Sequence, residues 1–222
     1  MQINSNFNLR VLVHLDNEPW LESPMPGVER RMLDRIGDEI ARTTTIVRYA
    51  ANSHFLEHCH TGGEEFIVLE GIFQDENGDY PAGTYVRNPP TTNHSPRSDK
   101  GCTIFVKLWQ FDMQDRKQFH LTMLAASATT KGAVKTAILH QDKYETLKYI
   151  EVQAGAKLRL EANGGIEVLM LSSTIAESGD ALRLGSWLSW RREAKITTIA
   201  GANGAKVWVK SGHLTYGKAP IN

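Results

Sequence analysis

The chain has 222 residues, of which 41% are hydrophobic, and its 25 basic side chains are balanced by 25 acidic ones. A neutral chain argues against direct nucleic-acid binding, which requires a basic surface to neutralise phosphates. No run approaches the roughly 18 apolar residues of a membrane span, and the first residues lack the basic and apolar regions of a secretory signal. Because only two cysteines occur, Cys59 and Cys102, we expect no disulfide framework and a reduced, cytoplasmic protein that makes no membrane contact.

Short runs of β-branched and aromatic residues recur along the chain between turns rich in Gly, Asn and Asp. This pattern is typical of an all-β sandwich or barrel. The runs are residues 10–15, 43–50, 65–71, 102–111, 147–152, 166–171 and 205–211. Residues 26–41 are ambiguous, because the spacing of Val28, Met32 and Ile36 fits a helix while Gly37 interrupts it, and a pair of strands fits equally well.

The second half of the sequence repeats the first weakly, at an offset of 102 residues. Gly62 aligns with Gly164, and Glu65 aligns with Glu167. Glycines and apolar positions that match at a nearly constant offset indicate a duplicated β unit. The predicted organisation is a first barrel over residues 1–123, a small, polar linker over residues 124–134 and a second barrel over residues 135–222.

The clearest chemical signal is the sequence HCHTGGE, which begins at His58. Side chains alternate between the faces of a strand, so His58 and His60 share one side and Cys59 takes the other. The glycine-rich turn can bring Glu64 beside the two imidazoles. Imidazoles with a carboxylate suit Zn²⁺, Fe²⁺, Mn²⁺, Ni²⁺ or Cu²⁺. A further ligand is expected from a neighbouring strand, and His94 is the candidate.

The roles of several neighbouring residues stay open. Glu65 rivals Glu64 as a ligand, since a β-bulge would exchange their faces. The recurrence of Glu65 as Glu167 favours a structural role for Glu65 and leaves Glu64 as the ligand. For His54, a position behind a ligand imidazole and a solvent-exposed one are both open. The residues predicted to surround the site are His54, Arg48, Tyr85 and Lys107.

This arrangement resembles the cupin superfamily. The residues that meet its first motif (H-x-H, three residues, E, six residues, G) are His58, His60, Glu64 and Gly71. The residues that meet its second motif more loosely are Pro81, Gly83 and His94. Cupins are jelly-roll barrels, so the resemblance implies an all-β fold of two tandem jelly-roll barrels.

Over residues 20–110 the sequence is similar to the cupin domain of ChrR-type anti-sigma factors, a family related to diketone-cleaving dioxygenases. The resemblance implies one divalent metal ion, with zinc favoured over iron, manganese, nickel or copper. The ligand positions it implies are His58, His60, Glu64 and His94. It further implies a small-molecule ligand or oxidant at the metal, a regulatory role in stress sensing and a protein partner in a sigma-factor pathway. A monomer and a homodimer are both compatible with it.

ChrR-type anti-sigma factors also carry an N-terminal zinc module that grips the sigma factor. About twenty residues precede the cupin here, and neither cysteine lies in a C-x-x-C pair, so we do not expect sigma-factor binding by such a module. The alternative function is a non-haem metal dioxygenase that cleaves a diketone or flavonoid-like molecule, because the same ligands serve both. In the second copy the ligand positions hold Leu160, Ala162, Ile166 and Ile196, so we expect one metal site, in the first barrel.

Overall fold

The computed structural model describes residues 1–161, 163–190 and 195–216. Within these ranges the chain forms β-strands and three short 3₁₀ helices, without an α-helix. The first fourteen strands are β1 (Gln2–Ile3), β2 (Val11–His14), β3 (Leu21–Glu22), β4 (Val28–Gly37), β5 (Ala41–Tyr49), β6 (Ser53–His54), β7 (His58–His60), β8 (Glu64–Asp75), β9 (Gly78–Pro81), β10 (Thr84–Asn88), β11 (Thr92–His94), β12 (Arg97–Ser98), β13 (Cys102–Leu108) and β14 (Phe119–Thr122). The strands that follow are β15 (Ala128–Lys131), β16 (Val134–Gln141), β17 (Thr146–Val152), β18 (Lys157–Glu161), β19 (Ile166–Glu177), β20 (Asp180–Arg183), β21 (Ser186–Trp190) and β22 (Lys195–Ser211). The 3₁₀ helices are Leu15–Asn17, Met123–Ala125 and His213–Tyr216.

The chain folds into two compact units, each a jelly-roll barrel of antiparallel strands. The first barrel contains Met1–Ser5 and Pro19–Leu124, and the second contains Asn6–Glu18 and residues 125–216. The main sheet of the first barrel has the order β1-β4-β5-β13-β8-β10-β14, and β7 pairs with β11 in a separate two-stranded sheet. The sheet of the second barrel has the order β15-β16-β17-β22-β19-β21-β2. The predicted all-β class with two tandem barrels is confirmed. No helix in the described ranges has the length and apolar content needed to cross a bilayer.

The barrel limits differ from the predicted ones at both ends of the first barrel. Strand β2 pairs with β21 of the second barrel, with Val11 opposite Ser189, so residues 6–18 do not belong to the first barrel. Strand β15 lies inside the predicted linker and pairs with β16. The physical reason is that β21 and β16 each present an unpaired row of backbone donors and acceptors, which a short extended segment can satisfy.

The segment that fitted either a helix or two strands consists of strands β4 and β5. Gly37 ends β4 with a φ of +121°, and a Cβ at this position would lie 2.4 Å from the carbonyl oxygen of Ile40. The glycine is therefore a turn residue. The register of β4 shifts between Met32 and Asp34, as at a β-bulge. An extra residue in a strand interrupts the two-residue alternation, which explains why the apolar spacing resembled a helix.

The two barrels repeat the same strand pairing, at the offset found in the sequence. Strands β8 and β19 each contain 12 residues and begin 102 positions apart, at Glu64 and Ile166. In the first barrel His58 lies opposite His94, and in the second Leu160 lies opposite Ile196. The duplication predicted from glycines and apolar positions is thus present in the pairing of these strands, although the offset rises to 103 in β13 and β22, where Lys107 and Lys210 lie opposite Glu65 and Glu167.

Candidate metal centre

Three imidazoles converge where β7 pairs with β11. The pairing sets His58 opposite His94, and His60 projects on the same face as His58 because it lies two residues further along β7. One ring nitrogen from each of these residues, here called the histidine cluster, lies within 4.8 Å of the others. The Nε2 atoms of His60 and His94 are 2.8 Å apart. Two ring nitrogens this close require a shared proton or a cation that accepts both lone pairs, so the cluster is a candidate metal site.

Glu64 adds a carboxylate to the histidine cluster. It is the first residue of β8, and its Oε2 lies 3.4 Å from Nε2 of His60 and 3.6 Å from Nε2 of His94. This oxygen is buried and accepts no hydrogen bond from any residue in the described ranges. An unsatisfied buried carboxylate oxygen is costly, and a metal ion would satisfy it. The donor set therefore fits a divalent cation held by three nitrogens and one oxygen.

Glu65 points away from the histidine cluster. The pairing of β8 with β13 is regular from Glu64 to Val68, so adjacent side chains take opposite faces. The Tyr85 hydroxyl donates a hydrogen bond of 2.7 Å to Oε2 of Glu65. Of the two candidate carboxylates, the structure thus brings Glu64 to the imidazoles.

The two glycines between β7 and β8 make room for aromatic rings. A Cβ on Gly62 would lie 2.0 Å from the indole of Trp109, and one on Gly63 would lie 2.6 Å from the ring of Phe111. Gly63 also has a φ of +77°, a conformation that L-residues rarely adopt. The turn that sets the spacing between the imidazoles and Glu64 therefore depends on both glycines.

Asp75 orients one of the imidazoles, and the sequence analysis did not identify it. Its Oδ2 lies 3.3 Å from Nδ1 of His94. Its Oδ1 accepts hydrogen bonds from the Tyr80 hydroxyl (3.1 Å) and from the backbone N–H of Asn77 (2.8 Å). A carboxylate on Nδ1 fixes the ring so that Nε2 faces the cluster, as is usual for histidines that bind metals. In the sequence Asp75 is one of several acidic residues in a turn, and only the pairing of β8 with β9 sets it apart.

The pKa values of the two imidazoles nearest Glu64 are shifted in opposite directions. Burial lowers the pKa of His60, and the negative charge of Glu64 offsets this only in part. Burial also acts to lower the pKa of His94, but the hydrogen bond to Asp75 and the charge of Glu64 outweigh it, and the pKa is raised. His60 is thus held in the neutral form that binds metals, and His94 is made more basic by its carboxylate partner.

A cavity of about 330 Å³ inside the first barrel borders the cluster. His58, His60 and Glu64 contribute to its wall, and Arg30 and Arg35 are the basic side chains that line it. Much of the remaining wall is apolar, with contributions from Val28, Met32, Val47, Phe55, Val106 and Leu108. The volume is at the lower end of the range of roughly 300–1,000 Å³ found for ligand pockets. A small molecule could therefore reach a metal ion bound at this site.

Three residues predicted to surround the site do not line this cavity: Arg48, Tyr85 and Lys107. Val47 and Val106, their neighbours in β5 and β13, do line it, so alternation directs Arg48 and Lys107 to the opposite faces. Tyr85 bonds to Glu65 on the face of β8 that points away from the cluster. The prediction failed because it used proximity in the sequence without knowing which strand face is inside.

His54 and the cysteines lie apart from the metal ligands. His54 is exposed and pairs with Arg97, so it is not behind a ligand imidazole. The regular strand stops at His54 and resumes at His58, so the two histidines do not belong to one continuous strand. Cys59 is exposed, Cys102 is buried in the core and both are free.

Comparisons with known proteins agree with this fold. Residues 8–112 match the family model described as the ChrR cupin-like domain. No curated protein sequence matches the chain. A candidate dioxygenase from Nostoc punctiforme has a similar structure, with a TM-score of 0.75, 11% identity and coverage of 97% of this chain and 88% of that one.

Two further structures bear the same likeness. A bacterial pirin from Escherichia coli in complex with nickel(II) has a TM-score of 0.67 at 12% identity, with coverage of 91% of this chain and 98% of that one. A single-substitution variant of oxalate decarboxylase from Bacillus subtilis has a TM-score of 0.65 at 13% identity, with coverage of 90% and 76%. At these identities the likeness establishes the fold alone. The chain therefore has a two-barrel fold, and its residues 8–112 match the ChrR cupin-like domain.

Proposed function

We propose that the first barrel binds one divalent metal ion through the histidine cluster and Glu64, with zinc as the native metal. The observation that carries this proposal is the convergence of three imidazole nitrogens within 4.8 Å of one another. Three nitrogens and one carboxylate oxygen form a ligand set that zinc accepts in four-coordinate sites. Iron, manganese, nickel and copper accept the same set, so the metal must be identified by measurement.

The role that best suits this site is regulatory. The match of residues 8–112 to the ChrR cupin-like domain supports a sensory function in which a small molecule or oxidant reaches the metal. The cavity beside the histidine cluster gives such a molecule access to His58, His60 and Glu64. A protein partner in a sigma-factor pathway would then respond to the occupied barrel, and we propose that partner on the family match alone.

The test is the metal content of the protein purified without added metal, measured beside a His58→Ala/His60→Ala double variant. We expect about one equivalent of zinc in the wild type and its loss in the double variant. The matched control is His54→Ala, because His54 is an exposed histidine on a neighbouring strand outside the cavity. A wild type without bound metal, or a double variant that keeps it, contradicts the proposal.

The second candidate is a non-haem dioxygenase that cleaves a diketone or flavonoid-like molecule. The observation that favours it is the cavity, which has room for a small organic substrate next to three predicted ligands. A bound iron ion would supply redox chemistry with O₂, and the residues of this chain would hold and orient the substrate. Oxygen uptake by iron-loaded protein with acetylacetone distinguishes the two. Uptake that disappears in the His58→Ala/His60→Ala variant favours the enzyme, and its absence favours the sensor.

A further inference from the structure

Arg30 brings a positive charge into the cavity that borders the histidine cluster. It is the third residue of β4 and lies opposite Val47 of β5, and both side chains line the cavity. The side chain is half-buried. His58, His60 and Glu64 belong to the same wall, so a molecule inside the cavity meets the guanidinium as well as the predicted metal ligands.

This guanidinium has no partner of its own in the described part of the chain, where it makes neither a hydrogen bond nor an ion pair. Three other arginines of the first barrel each reach a carboxylate: Arg42 reaches Asp34, Arg48 reaches Glu29 and Arg87 reaches Asp115. Burial lowers the pKa of Arg30, Tyr49 offsets this only in part, and the nearby charge of Arg35 lowers the pKa further. A cation held in a partly apolar cavity without an anion is unfavourable, and a bound anion would compensate it.

Tyr49 also lines the cavity, where it interacts electrostatically with Arg30 and with Glu64. Its ring packs edge-on against Phe55, with the ring centroids 5.4 Å apart. Burial raises the pKa of the Tyr49 hydroxyl, the charge of Glu64 raises it further and the charge of Arg30 lowers it. The hydroxyl therefore lies within the electrostatic range of both Glu64 and Arg30. It stays protonated at neutral pH and can donate a hydrogen bond to a ligand between them.

We infer that this cavity binds a small organic carboxylate, whose anionic group pairs with Arg30 while the rest of the molecule extends toward the metal held by the histidine cluster. The part of the inference that concerns the metal rests on the proposed function. A planar guanidinium matches a carboxylate with two parallel hydrogen bonds. The apolar wall suits a hydrocarbon body, and the volume of about 330 Å³ limits its size.

A monoanion fits this cavity better than a phosphate. Arg35, the other basic side chain of the wall, already donates to the backbone carbonyl of Asp38. Glu39 and Glu64 add two carboxylates to the same wall. A dianion would meet more negative charge than a single unpaired guanidinium can offset.

The test is calorimetric titration of zinc-loaded protein with benzoate and with benzamide, an uncharged molecule of nearly the same shape. We expect wild type to bind benzoate more tightly than benzamide. Arg30→Gln should weaken benzoate binding about 10- to 100-fold and abolish this preference, because a hydrogen-bonded charge pair is lost. The matched control is Arg48→Gln, which removes an arginine from the next strand that pairs with Glu29 outside the cavity and should leave benzoate binding unchanged.

Equal binding of benzoate by wild type and a folded Arg30→Gln variant overturns the inference. So does equal binding of benzoate and benzamide by wild type, a comparison that needs no variant to fold. Failure of wild type to bind either of the monoanions benzoate and butanoate also overturns it. Zinc content is measured on the same samples, so a wild type that holds no zinc refutes the proposed function separately, and titration of the metal-free protein still tests the pairing with Arg30.

Discussion

The two barrels share one strand register but have different interiors. In the first, His58 and His94 face each other across β7 and β11 beside a cavity. In the second, the equivalent pair is Leu160 and Ile196, which join Ile166 in the hydrophobic core. Ala162, the counterpart of His60, lies outside the described residues. The same fold therefore closes around an apolar interior, so the barrel architecture does not itself require the polar residues found in the first barrel.

Buried charges that both barrels share have a different meaning. Glu65 lies opposite Lys107 on the paired strands, and Glu167 lies opposite Lys210. All four side chains are at most 1% exposed. A buried glutamate opposite a buried lysine occurs both in the barrel with the histidine cluster and in the barrel without the equivalent ligands. This arrangement is therefore a feature of the shared fold. The following predictions use this contrast between what is shared and what is specific to one barrel.

The largest effect is expected when the first barrel is given the interior of the second. In His58→Leu/His94→Ile, the two histidines are replaced by the residues of the equivalent pair. We expect metal binding to be lost, since two of three imidazoles are gone, while the metal-free protein stays within about 1 kcal/mol of the wild-type unfolding free energy. Metal analysis and urea unfolding in chelator measure the two quantities. An unfolded variant would show that the histidines are needed by the fold after all.

Breaking the shared charge pair should destabilise either barrel. Glu65→Ala removes the buried carboxylate opposite Lys107, and Glu167→Ala removes the one opposite Lys210. Lys210 keeps its 2.8 Å ion pair with Glu145, but Glu167→Ala also takes away the carboxylate that lies 2.9 Å from Nε2 of buried His213. The expected loss is about 3–5 kcal/mol of unfolding free energy in each case. Chemical unfolding followed by circular dichroism measures it. If only Glu65→Ala destabilises the protein, the pair is not a common architectural element and the comparison between the barrels fails.

Adding one methyl group to the turn between β7 and β8 should affect both stability and the site. In Gly62→Ala the new Cβ would overlap the indole of Trp109. We expect a loss of roughly 1–3 kcal/mol of unfolding free energy from overpacking, together with weaker metal binding as the turn moves. Thr61→Ala, at the exposed position next to it, should change neither quantity. Wild-type stability and metal affinity in Gly62→Ala would mean that the indole moves aside freely.

The smallest effect is expected from a substitution of Asp75, whose Oδ2 lies 3.3 Å from Nδ1 of His94. Asp75→Asn keeps the shape but removes the charge next to Nδ1 of His94. We expect metal affinity to fall by about 10- to 100-fold, as is typical of such partners. Competition with a chromophoric chelator measures the affinity. Asp79→Asn changes an exposed aspartate in the same hairpin and should have no effect, and an equal response in both variants would remove the special role of Asp75.

The sequence predicted those features that depend on local spacing. The H-x-H and Glu spacing indicated His58, His60 and Glu64, because alternation along a strand and a short turn suffice to bring them together. The offset between the copies predicted the repeated strand register. The candidate His94 required a long-range pairing, which the duplication and the family resemblance made plausible and the structure shows between β7 and β11.

Features that depend on which face of a strand is inside were not predictable. Arg48 and Lys107 were placed at the site and Arg30 was not, because the bulge in β4 and the closure of the barrel decide the inward face. Asp75 was missed for a related reason, since only hairpin pairing brings it to His94. Strand β2 joins the second barrel through a long-range pairing with β21, which no local sequence pattern indicates.

The position of β2 has a consequence for how this chain is made. Leu12 pairs with Leu188, so β2 finds its neighbour only after the residues up to β21 have been translated. Contacts of such high sequence separation form late and slow the folding of β proteins. The first barrel can close around its histidines before β2 is paired, and the final pairing then joins β2 to a barrel whose other strands follow the whole first barrel in the sequence.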